Sequence, residues 1–163
     1  MLKKDDEYFL REALKEAGKA ERKGEVPVGA VVTFRNKIVG RGYNKSIVLN
    51  DPTAHAEIIA LREASKKTDN YRLINCKVYV TMEPCPMCIG AMIWARVSEV
   101  VFGCYDKKAG ACGSVFNIAG NSKLNHKIKV TGGLLENECR TQIQDFFRTR
   151  RRPKKSAING IQV

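Results

Sequence analysis

The chain has 163 residues, of which 44% are hydrophobic and 28% are charged. This size and composition are typical of one globular domain with a sizeable core. No run of residues is apolar and long enough to span a bilayer, and residues 1–7 lack the apolar segment of a signal peptide. We therefore expect a cytoplasmic protein with no membrane partner, with one domain over residues 1–155 and a flexible end over residues 156–163.

The charge is strongly positive, with 29 Lys and Arg residues against 17 Asp and Glu residues and a formal net charge of +12. Such an excess favours a polyanionic partner, and nucleic acid is the first candidate. The alternative is a basic surface that is merely well solvated. The position of the positive charge along the chain decides between these interpretations.

Hydrophobic periodicity divides the chain into helices and strands. Apolar residues recur at three- and four-residue steps from Phe9 to Ala20, which predicts a first helix. The predicted elements are a helix over 5–23, strands over 28–34 and 38–43 joined by a turn at 35–37, a helix over 54–66, a strand over 77–82, a helix over 84–95, a strand over 99–102, a loop at 106–114, a strand over 127–131 and a helix over 135–152. This order predicts an α/β fold, a three-layer α/β/α sandwich on a mixed five-stranded sheet.

Two short segments carry side chains that commonly bind metals. His55 lies in the segment HAE (55–57), and Cys85 and Cys88 lie in the segment PCPMC (84–88). We expect all three in the first turns of their helices, where residues three apart can face one ion. Three nitrogen and sulfur ligands leave the fourth position of a zinc ion open for water, as in catalytic sites.

Glu57 follows His55 by two residues, so the two side chains point in different directions on a helix. Glu57 can therefore approach a water molecule at the zinc without binding the metal. A carboxylate in that position transfers protons between water and substrate. The alternative is an ordinary solvated helix residue.

The remaining cysteines are expected to be reduced, buried and small hydrophobic residues. They are Cys76, Cys104, Cys112 and Cys139. If one of them were a fourth zinc ligand, the site would be structural rather than catalytic.

The ordered pattern H-x-E…P-C-x-x-C is the signature of the zinc nucleobase deaminases. From about residue 6 to residue 152, the chain also resembles the bacterial tRNA-specific adenosine deaminases. The resemblance is carried by PVGAV (27–31), GYN (42–44), DPTAHAEI (51–58), YRL (71–73), EPCPMC (83–88) and VFG (101–103). The loop that begins at Asp106 and the segment FFR (146–148) carry more of the discrimination within the superfamily.

This resemblance implies a cytidine-deaminase-like fold and a homodimer that binds one zinc ion per subunit. It also implies hydrolytic conversion of adenosine to inosine at the wobble position of a tRNA anticodon, typically of an arginine tRNA. Asn44 is expected to hydrogen-bond the flipped base, Ala56 to contribute a backbone contact, Val28 to line the pocket and Asp106 to contact the RNA backbone. The alternatives are a turn residue for Asn44, strand core for Val28 and a loop cap for Asp106.

The terminal helix carries a concentrated basic segment, in which six of the eight residues from 148 to 155 are Arg or Lys. Arg148, Arg150 and Arg151 are expected to contact phosphates, within a cluster that continues through Arg152, Lys154 and Lys155. Phe146 and Phe147 are expected either to stack on bases or to pack in the helix core.

Two other functions remain open. A free-base guanine deaminase or a nucleoside deaminase fits the zinc motif, and Pro86 within C-x-x-C also occurs in guanine deaminases. A zinc-stabilised RNA-binding module without catalytic activity fits the basic terminus. The basic terminus disfavours the first alternative, and Glu57 with its open metal position disfavours the second.

Overall fold

The computed structural model describes residues 4–151. Helices cover both faces of one five-stranded sheet, as predicted. The elements are α1 (Lys4–Arg22), β1 (Gly29–Phe34), β2 (Lys37–Tyr43), α2 (Ser46–Leu49), α3 (Ala56–Thr68), β3 (Cys76–Met82), α4 (Pro86–Trp94), β4 (Glu99–Cys104), β5 (Lys129–Gly132) and α5 (Glu136–Arg151). Arg152, Lys154, Lys155 and the segment 156–163 lie outside the described residues.

The strands are ordered β2-β1-β3-β4-β5. Strand β1 pairs antiparallel with both β2 and β3, whereas β3, β4 and β5 are mutually parallel. The β1–β2 hairpin turns through Arg35 and Asn36, both with positive φ, the conformation of a two-residue turn that follows the twist of the strands. The mixed sheet and the hairpin are therefore confirmed.

The alternation of side chains along each strand forms two apolar layers. Leu10 of α1 packs with Val31 and Tyr79 on one face of the sheet. Ala60 of α3 and Ile89 of α4 pack on the opposite face. Each large apolar side chain buried in this way contributes about 1.5–3 kcal/mol, so burial of both faces stabilises the three-layer arrangement.

The short helix α2 is absent from the predicted elements. It spans Ser46–Leu49, and its apolar side chains at positions 47, 48 and 49 are more than half exposed. A single turn without a buried face has no periodicity to detect. Within residues 4–151, no helix is long and apolar enough to cross a membrane.

Strand direction brings distant parts of the chain to one edge of the sheet. Because β2, β3 and β4 all run antiparallel to β1, their carboxyl ends lie beside the start of β1. Val28 precedes β1, Asn44 follows β2, and Asp106 follows β4. Ligands of open α/β sheets bind outside the carboxyl ends of strands, so this edge is the expected position of a functional site.

Candidate zinc and active site

His55, Cys85 and Cys88 meet at this edge. Their candidate donor atoms all lie within 4.8 Å of one another. His55 Nδ1 lies 3.7 Å from Cys85 Sγ and 3.5 Å from Cys88 Sγ. No other cluster of three or more such side chains occurs within residues 4–151.

Two of the three ligands lie one residue before their helices rather than in the first turn. His55 is the N-cap of α3 and Cys85 is the N-cap of α4, and both have extended backbone. Cys88 lies in the first turn of α4, which begins with Pro86, a residue suited to the first helical position. The expected first-turn positions of His55 and Cys85 are therefore corrected by one residue, and both side chains remain at positively polarised helix ends.

Close packing of strand and helix places His55 at the site. Gly42 of β2 lies against α3, and a Cβ at Gly42 would overlap the carbonyl oxygen of Ala56. The absence of a side chain allows the first turn of α3 to approach β2 closely. A larger residue at this position would displace the segment that carries His55 and Glu57.

The donor set fits zinc, because one imidazole nitrogen and two thiol sulfurs are ligands that zinc prefers. All six cysteines of the chain are described, and only Cys85 and Cys88 belong to the cluster. Cys76, Cys104 and Cys139 are buried free thiols, and Cys112 is a half-buried one. Within residues 4–151 the cluster therefore offers three ligands to a zinc ion, which is the number typical of catalytic sites.

The contact between the two thiols of the cluster shifts their pKa values in opposite directions. The hydrogen bond with Cys88 lowers the pKa of Cys85 to about 4. The same contact, together with burial, raises the pKa of Cys88. Since metal binding requires thiolates, a zinc ion held by these residues would replace the proton of Cys88.

Glu57 is the second residue of α3 and is only 4% exposed. Burial raises the pKa of its carboxyl to about 7. The charge of His55 lowers this pKa and that of Cys85 raises it, so the Glu57 carboxyl lies close to both candidate ligands. A carboxyl group that titrates near neutral pH can both accept and donate a proton.

Asn44, Ala56 and Val28 adjoin one another next to His55. Ala56 N–H donates a 2.9 Å hydrogen bond to Asn44 Oδ1, and Asn44 N–H donates to the Val28 carbonyl at 3.2 Å. Val28 is 7% exposed and belongs to the core layer that contains Ala56. Their predicted contacts with a base stay predictions, and in this structure Asn44 also supports the start of α3.

Asp106 begins the loop that follows β4. Its Oδ1 atom accepts hydrogen bonds from the backbone N–H groups of Lys108 at 2.9 Å and Ala109 at 3.2 Å. Asp106 is therefore a loop cap, and its predicted RNA contact stays a prediction. Glu83, for which the sequence predicts no role, is 3% exposed and accepts hydrogen bonds from this loop. An acidic residue between an apolar strand and a ligand segment was the available signal.

The two phenylalanines of α5 lie on different sides of the helix. Phe146 is 7% exposed, whereas Phe147 is 42% exposed. The Arg150 guanidinium lies 4.5 Å from the centre of the Phe146 ring and donates to the Gly24 carbonyl. Phe146 is thus a core residue of the helix, and Phe147 is the one available for stacking.

A groove of ≈ 520 Å³ separates the loop after β4 from α5. Asp106, Lys107, Lys108, Arg140 and Phe147 contribute to its lining. A second groove shares Phe147 and extends along α5. Its lining includes Arg148 and Arg151. The structure therefore brings Asp106, Phe147 and two of the predicted phosphate-binding arginines to one continuous surface.

The fold and the three-ligand cluster beside a buried carboxyl define a zinc-dependent deaminase. The family model of the cytidine and deoxycytidylate deaminase zinc-binding region matches residues 3–104. The chain belongs to this family.

Within the family, the similarity is to the tRNA-specific adenosine deaminases. The chain is 52% identical to the tRNA-specific adenosine deaminase of Haemophilus influenzae over 92% of its own length and 87% of that protein. A structure from a study of A-to-I editing by tRNA:A34 deaminases at the wobble position superposes with a TM-score of 0.80, at 37% identity over 83% of this chain and 98% of the other. The guanine deaminase of Bacillus subtilis gives a TM-score of 0.60, at 39% identity over 66% and 69% of the two chains.

Proposed function

We propose that this protein hydrolyses adenosine to inosine at the wobble position of a tRNA anticodon. One arrangement carries the proposal. The cluster of His55, Cys85 and Cys88 lies beside buried Glu57, at the same sheet edge as Asp106 and the basic groove. The family resemblance names an arginine tRNA as the first substrate to test.

His55, Cys85 and Cys88 would hold one zinc ion per subunit. Zinc bound by three protein ligands supplies Lewis acidity, which makes hydroxide available at neutral pH. Because His55 and Cys85 lie at helix N-termini, the helix dipoles also favour negative charge developing there.

Glu57 moves the protons of the reaction. Its carboxylate accepts a proton from the attacking water and delivers it to N1 of adenine, so that hydroxide adds to C6. Glu57 then transfers the proton of the C6 hydroxyl to the exocyclic amine, the C6–N bond breaks as the C6 carbonyl forms, and ammonia leaves inosine behind. The burial of Glu57 beside the candidate ligands, which raises the pKa of its carboxyl, supports this role.

The adenosine must leave the base stack to reach this carboxyl, and unstacking costs least in a single-stranded loop. Asn44 would hydrogen-bond the flipped base beside Ala56, while Val28 would line the pocket wall. Asp106 would contact the backbone next to the target nucleotide. The hydrogen bond between Asn44 and Ala56 holds this side of the pocket in place before substrate binds.

The groove along α5 would bind the anticodon stem-loop. Exposed Phe147 provides a ring on which a base can stack. Arg148 and Arg151 lie on the same groove and would contact phosphates. Arg150 would support the surface through its contact with Phe146.

A second copy of this chain is the expected partner besides tRNA. Trp94, at the end of the ligand-bearing helix α4, is 80% exposed in the single chain, and Phe116 is 49% exposed. Burial of such side chains in a homodimer is favourable. Sedimentation equilibrium would measure the assembly. A tRNA substrate also supports the proposal that the protein acts in the cytoplasm.

One experiment separates this function from its alternatives. The zinc-loaded protein is incubated with an anticodon stem-loop that has adenosine at the wobble position, and separately with guanine and with cytidine. We expect ammonia and inosine from the stem-loop only, and no reaction when the adenosine is moved by one nucleotide. Ammonia from guanine alone would support a guanine deaminase, and RNA binding without ammonia would support a non-catalytic module.

A further inference from the structure

Glu83 lies between β3 and the ligand Cys85, and its carboxylate is almost completely buried, at 3% exposure for the residue. Both oxygens of the Glu83 carboxylate accept hydrogen bonds. Oε2 accepts from Asp106 N at 3.0 Å and from Ser114 Oγ at 2.5 Å. Oε1 accepts from Cys112 N at 3.0 Å and from Ser114 N at 3.1 Å.

These donors belong to one loop, residues 105–114, which is folded over the carboxylate. The main chain reinforces the contact, because Ala111 N donates to the Pro84 carbonyl and Glu83 N donates to the Cys104 carbonyl, each at 2.8 Å. Gly110 lies so close that a Cβ there would overlap the Glu83 carboxylate. The loop and the ligand segment therefore form one hydrogen-bonded unit.

A glutamine at this position would not provide the same set of contacts. An ionised carboxylate accepts hydrogen bonds through both oxygens, whereas a glutamine amide accepts through one and donates through the other. At Glu83 the NH₂ group of a glutamine would face either the Asp106 N–H or the N–H groups of Cys112 and Ser114, and none of these backbone groups can accept a hydrogen bond. Buried donors that lose their acceptor destabilise the arrangement that presents them.

We propose that Glu83 is a positioning residue for substrate recognition. Its carboxylate holds the loop 105–114 in a fixed position relative to the zinc-ligand segment, residues 83–88. The proposal rests on the function proposed above, because Asp106 on this loop is the expected RNA contact. Glu83 itself touches neither zinc nor substrate. Its carboxylate sets the distance between the chemistry at Cys85 and the recognition surface at Asp106.

The test compares Glu83→Gln with wild type in the zinc-loaded protein. With the wobble-adenosine stem-loop, we expect KM to rise about tenfold or more, since at least one buried backbone N–H of the loop loses its charge-assisted hydrogen bond. We expect kcat to change by less than about threefold and zinc content to stay at the wild-type level. Faster amide hydrogen exchange at Asp106, Cys112 and Ser114 should accompany the change in KM.

Two further variants keep the test decisive. Ser114→Ala removes one donor and should shift KM in the same direction by a smaller factor, even if Glu83→Gln folds poorly. Glu99→Gln is the matched control. It also alters a buried carboxylate, 8% exposed and paired with Lys77 and Lys129 at the opposite edge of the sheet. We expect Glu99→Gln to leave KM and kcat for the stem-loop unchanged.

The outcomes separate the two proposals. An unchanged KM with equally protected loop amides would overturn the role of Glu83. A fall in kcat with loss of zinc and no change in KM would overturn it too, because Glu83 would then act on the metal site. If wild type does not deaminate the stem-loop, the proposed function is wrong. In that case the loop amide exchange of Glu83→Gln decides whether Glu83 positions the loop.

Discussion

The groove along α5 predicts how tRNA binding depends on salt. Arg148 and Arg151 line it, while Arg150 is engaged with Phe146 and the Gly24 carbonyl. We therefore expect the double variant Arg148→Ala/Arg151→Ala to lose two phosphate contacts. Each contact with single-stranded RNA contributes about 0.7 to the slope of log K against log salt, so the slope should become shallower by about 1.4.

The same slope sets the loss of affinity. If the two contacts contribute nothing to binding at 1 M salt, their loss lowers the binding constant at 0.1 M salt by a factor of about 25. Arg148 is 3.1 Å from Asp145, but both side chains are more than half exposed, so this ion pair is worth at most about 1 kcal/mol. Breaking it on binding reduces the factor by at most about fivefold.

Fluorescence anisotropy of a labelled anticodon stem-loop, measured between low and high salt, gives both quantities. Arg150→Ala is the control, because it removes one positive charge from the same helix turn without removing a groove residue. We expect Arg150→Ala to preserve the salt slope while lowering the free energy of unfolding by about 1–2 kcal/mol through its lost hydrogen bond and cation–π contact. An unchanged slope in the double variant, or an equal change in Arg150→Ala, would refute the assignment of the RNA surface.

Three other predictions concern catalysis, the pocket and the core. Glu57→Ala should retain zinc by atomic emission but lower kcat by about 10² to 10⁴ or more, and near-normal inosine formation would exclude Glu57 as the proton carrier. Asn44→Ala removes the acceptor for Ala56 N–H and should lower the free energy of unfolding by about 1 kcal/mol. The same variant should raise KM for the stem-loop. A wild-type KM would show that Asn44 does not contribute to substrate recognition. Burial raises the pKa of Cys104 to about 11 and that of Cys139 to about 12, against about 8.5 in an unfolded chain. Above about pH 8.5 the unfolded state loses protons that the folded state keeps, so stability should fall with rising pH by about 1 kcal/mol per pH unit for each thiol up to about pH 11. Urea unfolding of Cys104→Ala/Cys139→Ala should show a shallower pH dependence than wild type, and an equal dependence would contradict the burial argument.

Much of the fold is readable in the sequence because its signals are local. The periodicity of α1 and the alternation along β1 recur over a few residues, so both elements were predicted to within a residue or two. Helix α2 was missed because one exposed turn has no buried face. The ligand set was also local, since H-x-E and P-C-x-x-C keep their ligands at short, fixed spacings.

The positions of His55 and Cys85 relative to the ends of their helices were harder to predict from the sequence. His55 and Cys85 have side chains that suit either a first turn or an N-cap, and the backbone placed both at the N-cap. The difference is one residue, which is the scale at which helix boundaries are uncertain without coordinates. The meeting of both residues nevertheless followed from the direction of the strands before them.

The sequence by itself predicted the candidate zinc ligands, the neighbouring acid and the order of the elements other than α2, because each of these signals lies within a short segment of the chain. Only the tertiary structure decided that Phe146 is buried and Phe147 exposed, and that Arg150 binds its own chain rather than facing the groove. Only the structure revealed Glu83, whose donors lie 23 to 31 residues further along the chain. A hydrogen bond over that separation leaves no pattern in the sequence, since it forms only when the loop after β4 folds back over the end of β3.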